Sequence, residues 1–178
     1  MKRSFILIIL ISIVFSGCKK DETPSLSGTV AIDNILSGND KTGYYAFGFL
    51  FSQAKKVSTI DVPGPDITVD VNTFSPPNRL YFQADNFNPS FYKVGDYPDA
   101  QSASDAFDNL ETVGSYVWTE MADPVIANQV WVYRTGTPCY AKMKIISIVN
   151  DSINNRAHGE CTFEWVYQPD GSTTFPVK

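Results

Sequence analysis

Histidine is nearly missing from this sequence: His158 is the one histidine in 178 residues. A Ser-His-Asp or Cys-His arrangement would have to be built on that residue alone. There is no H-E-x-x-H, C-x-x-C, G-x-S-x-G, phosphate loop or G-x-G-x-x-G, so the usual local marks of metal hydrolysis, thiol redox chemistry, acyl transfer and nucleotide binding are absent. Carboxylate pairs for acid–base chemistry need no local motif, but abundant Asp and Glu also describe a solvated surface, and the chain is read as non-enzymatic. Positive charge is scarce as well, with 14 Lys and Arg against 19 Asp and Glu. Phosphate binding needs a clustered basic surface, so nucleic acid is excluded as a partner. Nor is any apolar run long enough to span a bilayer, which takes about 20 helical residues.

The longest apolar run, residues 5–15, is broken only by Ser12 and preceded by Lys2 and Arg3. A positive flank, a short apolar core and then small residues read as a cleavable export signal over residues 1–17. Phe15-Ser16-Gly17-Cys18 looks like a lipobox, with Phe15 where an aliphatic residue is usual. Cys18 is therefore the expected lipidation site, and its acyl chains, at about 0.8 kcal/mol per buried CH₂, would hold the protein to a membrane. Cleavage removes Lys2 and Arg3 and leaves a net charge of about −7. Residues 18–27 are polar, contain Pro24 and suit a flexible tether. Lys20-Asp21-Glu22 resembles the Lys-plus-two-acids signal that sends lipoproteins of Bacteroidetes-type bacteria to the outer cell surface. An outer-membrane, lipid-anchored, surface location is the resulting expectation.

Residues 28–178 read as one β-rich domain. Short runs rich in Val, Ile, Thr and aromatics predict strands over 28–33, 44–51, 67–71, 79–84, 115–118, 130–134, 140–148 and 161–167. Pro63-Gly64-Pro65, Pro76-Pro77-Asn78 and Asp170-Gly171 separate some of them as turns. Ala103, Ala106, Phe107, Leu110 and Val113 recur at helical spacing and predict one surface helix over about 100–113, with Ser102 or Ser104 as N-cap and Gly114 beyond its end. The expected fold is mainly β, antiparallel, with that single short helix. Asp61, Asp66 and Asp70 lack the spacing and glycine of a calcium loop and read as strand and turn residues.

One resemblance extends this picture. Val130-Trp131-Val132-Tyr133-Arg134, the turn Thr135-Gly136-Thr137-Pro138, the strand from Tyr140 through Ala141-Lys142-Met143-Lys144-Ile145 and the aromatic-rich strand from Gly159 to Tyr167 resemble the closing strands of HmuY-type lipoproteins. The resemblance covers roughly residues 128–168. It implies a β-rich, lipid-anchored protein that captures haem or a related porphyrin, with an outer-membrane uptake partner. Haem capture in that family uses two axial side chains, histidines or methionines, in loops upstream of the closing strands. Here Met121 lies in a predicted loop before Val130 and is the residue that could take such a position; His158 falls in a later loop, outside that region, and Met143 alternates with Ala141 and Ile145 as core. Two other readings stand beside haem. A glycan or nutrient module would use exposed aromatics from among Trp118, Trp131, Trp165, Tyr81, Tyr92 and Tyr97, most of which should be core. A docking module of a surface complex would need no small-molecule pocket.

Two modifications complete the expectations. Asp151-Ser152-Ile153 resembles the D-S/T-aliphatic O-glycosylation site of Bacteroidetes proteins, with Ser152 in a predicted exposed loop over 150–158. Export would permit Cys139 and Cys161 to pair. A register setting Glu164 opposite Lys142 or Lys144 brings opposite charges together and puts Cys139 six to eight residues along from Cys161. That is roughly 20 to 27 Å at about 3.4 Å per residue, against the ~7 Å a disulfide tolerates, so the two are expected not to bond. A tight turn at Asn150-Asp151 would instead bring the sulfurs together.

Overall fold

A computed structural model describes residues 24–176 apart from 42, 75 and 138. The expected signal, Cys18 and the first part of the tether lie outside the described residues. The chain forms β1 (Ser27–Asp33), β2 (Ser37–Asn39), β3 (Gly43–Tyr45), β4 (Phe47–Leu50), a 3₁₀ turn (Phe51–Gln53), β5 (Lys55–Ser58), β6 (Ile67–Asn72) and β7 (Arg79–Ala84). It continues through β8 (Phe91–Asp96), α1 (Ala100–Asn109), β9 (Met121–Val125), β10 (Gln129–Arg134), β11 (Tyr140–Ile153) and β12 (Arg156–Gln168). The expected mainly β, antiparallel fold with one short helix is what is found.

Two antiparallel sheets, β1-β12-β11-β10-β8 and β5-β4-β6-β7-β9, share one apolar core, and β2-β3 is a small separate ribbon. Alternation decides which side chains enter that core. Ile67, Val69 and Val71 of β6 and Leu80, Phe82 and Ala84 of β7 are buried, while Thr68, Asp70, Tyr81 and Gln83 between them face outward. Aromatics join the layers: Phe49 packs on Phe163 and Trp165, and Phe51 stacks on Tyr133 and Tyr167. Tyr133 donates its buried hydroxyl to the Asp66 carbonyl at 3.1 Å.

The first sheet is covered on its other face too. Phe107 of α1 and Phe175 pack on Val130, Val132 and Val166, which is why β10 is buried along nearly its whole length. The helix starts at Asp99, whose side chain accepts from the Ser102 amide at 2.7 Å, and stops at Asn109. It is therefore shorter than the predicted 100–113; neither Ser102 nor Ser104 is its N-cap and Gly114 is not its C-terminal glycine. Lys142 explains the stop. Its ammonium donates to the Phe107 and Leu110 carbonyls at 2.7 and 2.9 Å, satisfying acceptors that the end of a helix leaves open.

The register of the last two strands sets Lys144 opposite Glu164, with an ion pair at 2.6 Å. Tyr140 faces Gln168 and Cys161 faces Ile148, so Cys139 and Cys161 lie far apart and both are free, as expected. Other expectations are corrected. Residues 115–118 form no strand; the aromatic segment Tyr116 to Trp118 packs outside the first sheet instead, with Tyr116 stacked on Tyr92 at 3.8 Å. The predicted loop over 150–158 is also strand, closed by a turn of two residues, Asn154 and Asn155.

Candidate functional site

β11 and β12 outrun their neighbours. They pair over thirteen positions, from Tyr140 with Gln168 to Ile153 with Arg156. β1 accompanies β12 only as far as Glu160, and β10 accompanies β11 only as far as Lys144. Residues 150–159 therefore project as a two-stranded arm. Asn154 and Asn155 turn it at φ 52° and 61°, two successive left-handed residues as in a type I′ hairpin, which asparagine tolerates better than most residues.

Asn34 holds this arm against the second sheet. Just past the end of β1, its backbone amide donates to the Gly159 carbonyl at 3.1 Å and its side-chain oxygen accepts from the Gly159 amide at 2.9 Å. Its side-chain nitrogen donates to the Ala157 carbonyl and to Asp70 Oδ1, at 3.1 and 3.0 Å. One side chain thus links β1, β12 and β6. Asn150 adds a bond from its side chain to the Asn78 carbonyl at 2.6 Å. Gly159 permits the close approach: a Cβ there would lie 2.7 Å from Val71 Cγ2 and 3.2 Å from Leu80 Cδ1.

Between the arm, the segment after β1 and the outer face of the second sheet lies an open cleft of about 550 Å³. Asn34, Ile35 and Leu36 form one wall, Thr68, Asp70 and Gln83 the floor, and Ile153, Arg156 and His158 the wall made by the arm. Its aliphatic side chains are only partly covered, with Ile35 51%, Leu36 48% and Ile153 44% exposed. Asp70 is occupied: Oδ1 takes the Asn34 bond and the Val71 amide at 2.8 Å, and Tyr81 donates to Oδ2 at 3.4 Å. His158 is not. It is nine-tenths buried, and its Nδ1 has no hydrogen-bond partner among the described residues. A buried polar atom left without a partner is costly, and it marks a place where a ligand or water can bond.

The residues singled out from the sequence are distributed unevenly around this cleft. Met121 is not in a loop but opens strand β9, where it pairs with Gln83 and is 44% exposed. As cross-strand neighbours the two share a face, so Met121 stands beside the cleft floor without lining it. Ser152 is exposed but lies on strand β11 beside the turn, not in a loop, and its amide donates to Asp151 Oδ1 at 2.7 Å. His158 sits on strand β12 and lines the cleft, rather than lying in a solvated loop. Met143 is core. Asp61 accepts from the Ser58 amide, Asp66 is buried between the sheets and Asp70 is in the cleft floor. Asn34, Ile35 and Leu36 were not singled out; the signal was an Asp-Asn pair closing a strand, followed by two large aliphatics in an otherwise polar stretch. The chain matches no family model, no curated protein and no solved structure.

Proposed function

We propose that this protein is a lipid-anchored lipoprotein of the outer membrane, displayed at the cell surface and acting as a non-enzymatic ligand-binding module, with the cleft beneath the β11–β12 arm as its binding site. The observation that carries the binding role is His158, buried in the cleft wall with an unpartnered ring nitrogen while the nearby carboxylate Asp70 is already engaged. The anchor rests on the lipobox-like residues ending at Cys18. A binding role also suits the local chemistry, because His158 Nδ1 has no carboxylate bonded to it among the described residues that would prepare the ring for proton transfer.

Haem or a related porphyrin is the first ligand to try, since the resemblance of residues 128–168 implies it and Met121 stands beside the cleft floor. Titrating the protein with haemin should produce a Soret shift that Met121→Ala or His158→Ala weakens; an unchanged spectrum removes haem from this reading. Glycan binding is the alternative and is tested by a glycan array run in parallel. For the cleft itself, Ile35→Asp should abolish binding of whichever ligand is found, and a ligand indifferent to that substitution binds elsewhere. Glycosylation at Ser152 is proposed on its three-residue motif and checked by intact-mass analysis of protein from the native host, where no added mass would end it.

A further inference from the structure

We infer that the cleft takes a small amphipathic carboxylate with an aliphatic body, its acid group held by Arg156 beside His158; this rests on the cleft being the binding site. The apolar side chains facing the cleft are aliphatic: Ile35, Leu36, Ala46, Ile153 and Ala157, with no Phe, Tyr or Trp among the lining residues. Sugars are usually gripped by aromatic faces, so this lining suits a hydrocarbon body better. Burying such a chain gains about 0.8 kcal/mol per CH₂, and the half-exposed Ile35, Leu36 and Ile153 would be covered as well.

Charge selects the other end of the ligand. Arg156 and Asp70 are the oppositely charged lining residues, and only one of them is committed. Asp70 accepts from Asn34, Val71 and Tyr81. Asp151, the partner of His158 across the arm, gives an oxygen to the Ser152 amide. The Arg156 guanidinium has neither an ion pair nor a hydrogen bond among the described residues. It pairs with Ile153 at the tip of the arm, so guanidinium and aliphatic side chain share one face. Two residues further along the same strand is His158, with its unpartnered nitrogen. An uncommitted guanidinium beside an uncommitted imidazole recognises a carboxylate, which the guanidinium can bind through two parallel hydrogen bonds.

The test compares octanoate with 1-octanol, which share a chain and differ at the acid, by calorimetry on the whole mature chain carrying Cys18→Ser so that no lipid interferes. Octanoate should bind at least tenfold more tightly than octanol. Arg156→Ala should weaken octanoate about tenfold and leave octanol unchanged, and Ile35→Asp should abolish both. Near-ultraviolet circular dichroism of each variant verifies that it is folded, and Arg156→Lys, which keeps the charge without the fork, should recover part of the loss. Equal affinity for acid and alcohol, lost in Ile35→Asp, would overturn the carboxylate assignment and leave the cleft as a binding site. No binding of either, or binding indifferent to Ile35→Asp, would overturn both.

Discussion

Asp66 shows what a single buried group does to this fold. Its side chain accepts from the Phe51 amide at 2.9 Å, which lowers its pKa, but burial outweighs that bond and holds the carboxyl above its ordinary value. Asp85 is raised as well, by burial first and with Asp66 contributing. Both groups therefore bind a proton more tightly folded than unfolded. The stability they contribute is complete below the unfolded carboxylate value of about 4 and is lost as pH climbs through their raised folded values. Asp66→Asn keeps an oxygen for the Phe51 amide and removes the buried charge. Urea unfolding should show the variant more stable at pH 7, with the gap closing near pH 3; a gap that stays constant with pH would contradict this. The cysteines follow the same logic of burial. Cys161 is fully buried and its thiol is pushed up, mainly by desolvation, while Cys139 is only half-buried and rests on the Pro169 carbonyl at 3.2 Å. A thiol reagent should label Cys139 in the native protein and Cys161 only after unfolding, and the Cys18→Ser chain should show both as free. The spacing of the two cysteines was legible because it depended on one register, and the Lys144–Glu164 pair supplied it. His158 was not, because Asn154, Asn155 and Arg156 before it have a loop's composition; two asparagines able to take positive φ closed a hairpin instead.

Among the elements, β6, β7 and β10 were readable because their apolar residues either alternate or run unbroken, as strands with one or both faces buried should. β9 was not. Asp123 and Pro124 lower its strand propensity, and it survives as an edge strand, where a missing backbone donor is tolerated. β5 opens with Lys55 and Lys56, exposed at the other edge of the same sheet, where charge discourages pairing with a second chain. The helix was placed correctly at its start and overextended at its end, since Lys142, thirty-two residues beyond Leu110 in sequence, is what receives its last carbonyls. The arm depends on Gly159 in a way that no local pattern discloses. Gly159→Ala drives a methyl group into Val71 and Leu80, and either the arm lifts or the core shifts. Overpacking of this kind costs typically 1–3 kcal/mol. Thermal or urea unfolding should show that loss, with faster amide exchange at Asn34 and Gly159, while substitution of Gly171, out in the C-terminal turn, leaves exchange at the arm unchanged.

At the scale of the molecule, the direction of β1 joins the proposed anchor to the proposed site. The strand runs from Ser27, just after the tether, to Asp33, just before the cleft wall. At about 3.3 Å per residue its seven residues set the two roughly 20 Å apart, so a chain held through Cys18 would be tethered at the end of β1 opposite the cleft. Cys18→Ser should release the protein into the soluble fraction; a variant still membrane-bound after a salt wash would refute the anchor. The antiparallel pairing of β1 with β12 also sets how the molecule bears load. A pull on the tether draws β1 from Ser27, and a pull on the arm draws β12 from Arg156, at opposite ends of the same ladder. The seven pairs between them are then loaded in shear, all at once, rather than peeled open in sequence. Single-molecule stretching between the N-terminus and the hairpin tip should consequently meet a high rupture force, and stretching between the two chain termini, which peels β1 from its first pair, a much lower one.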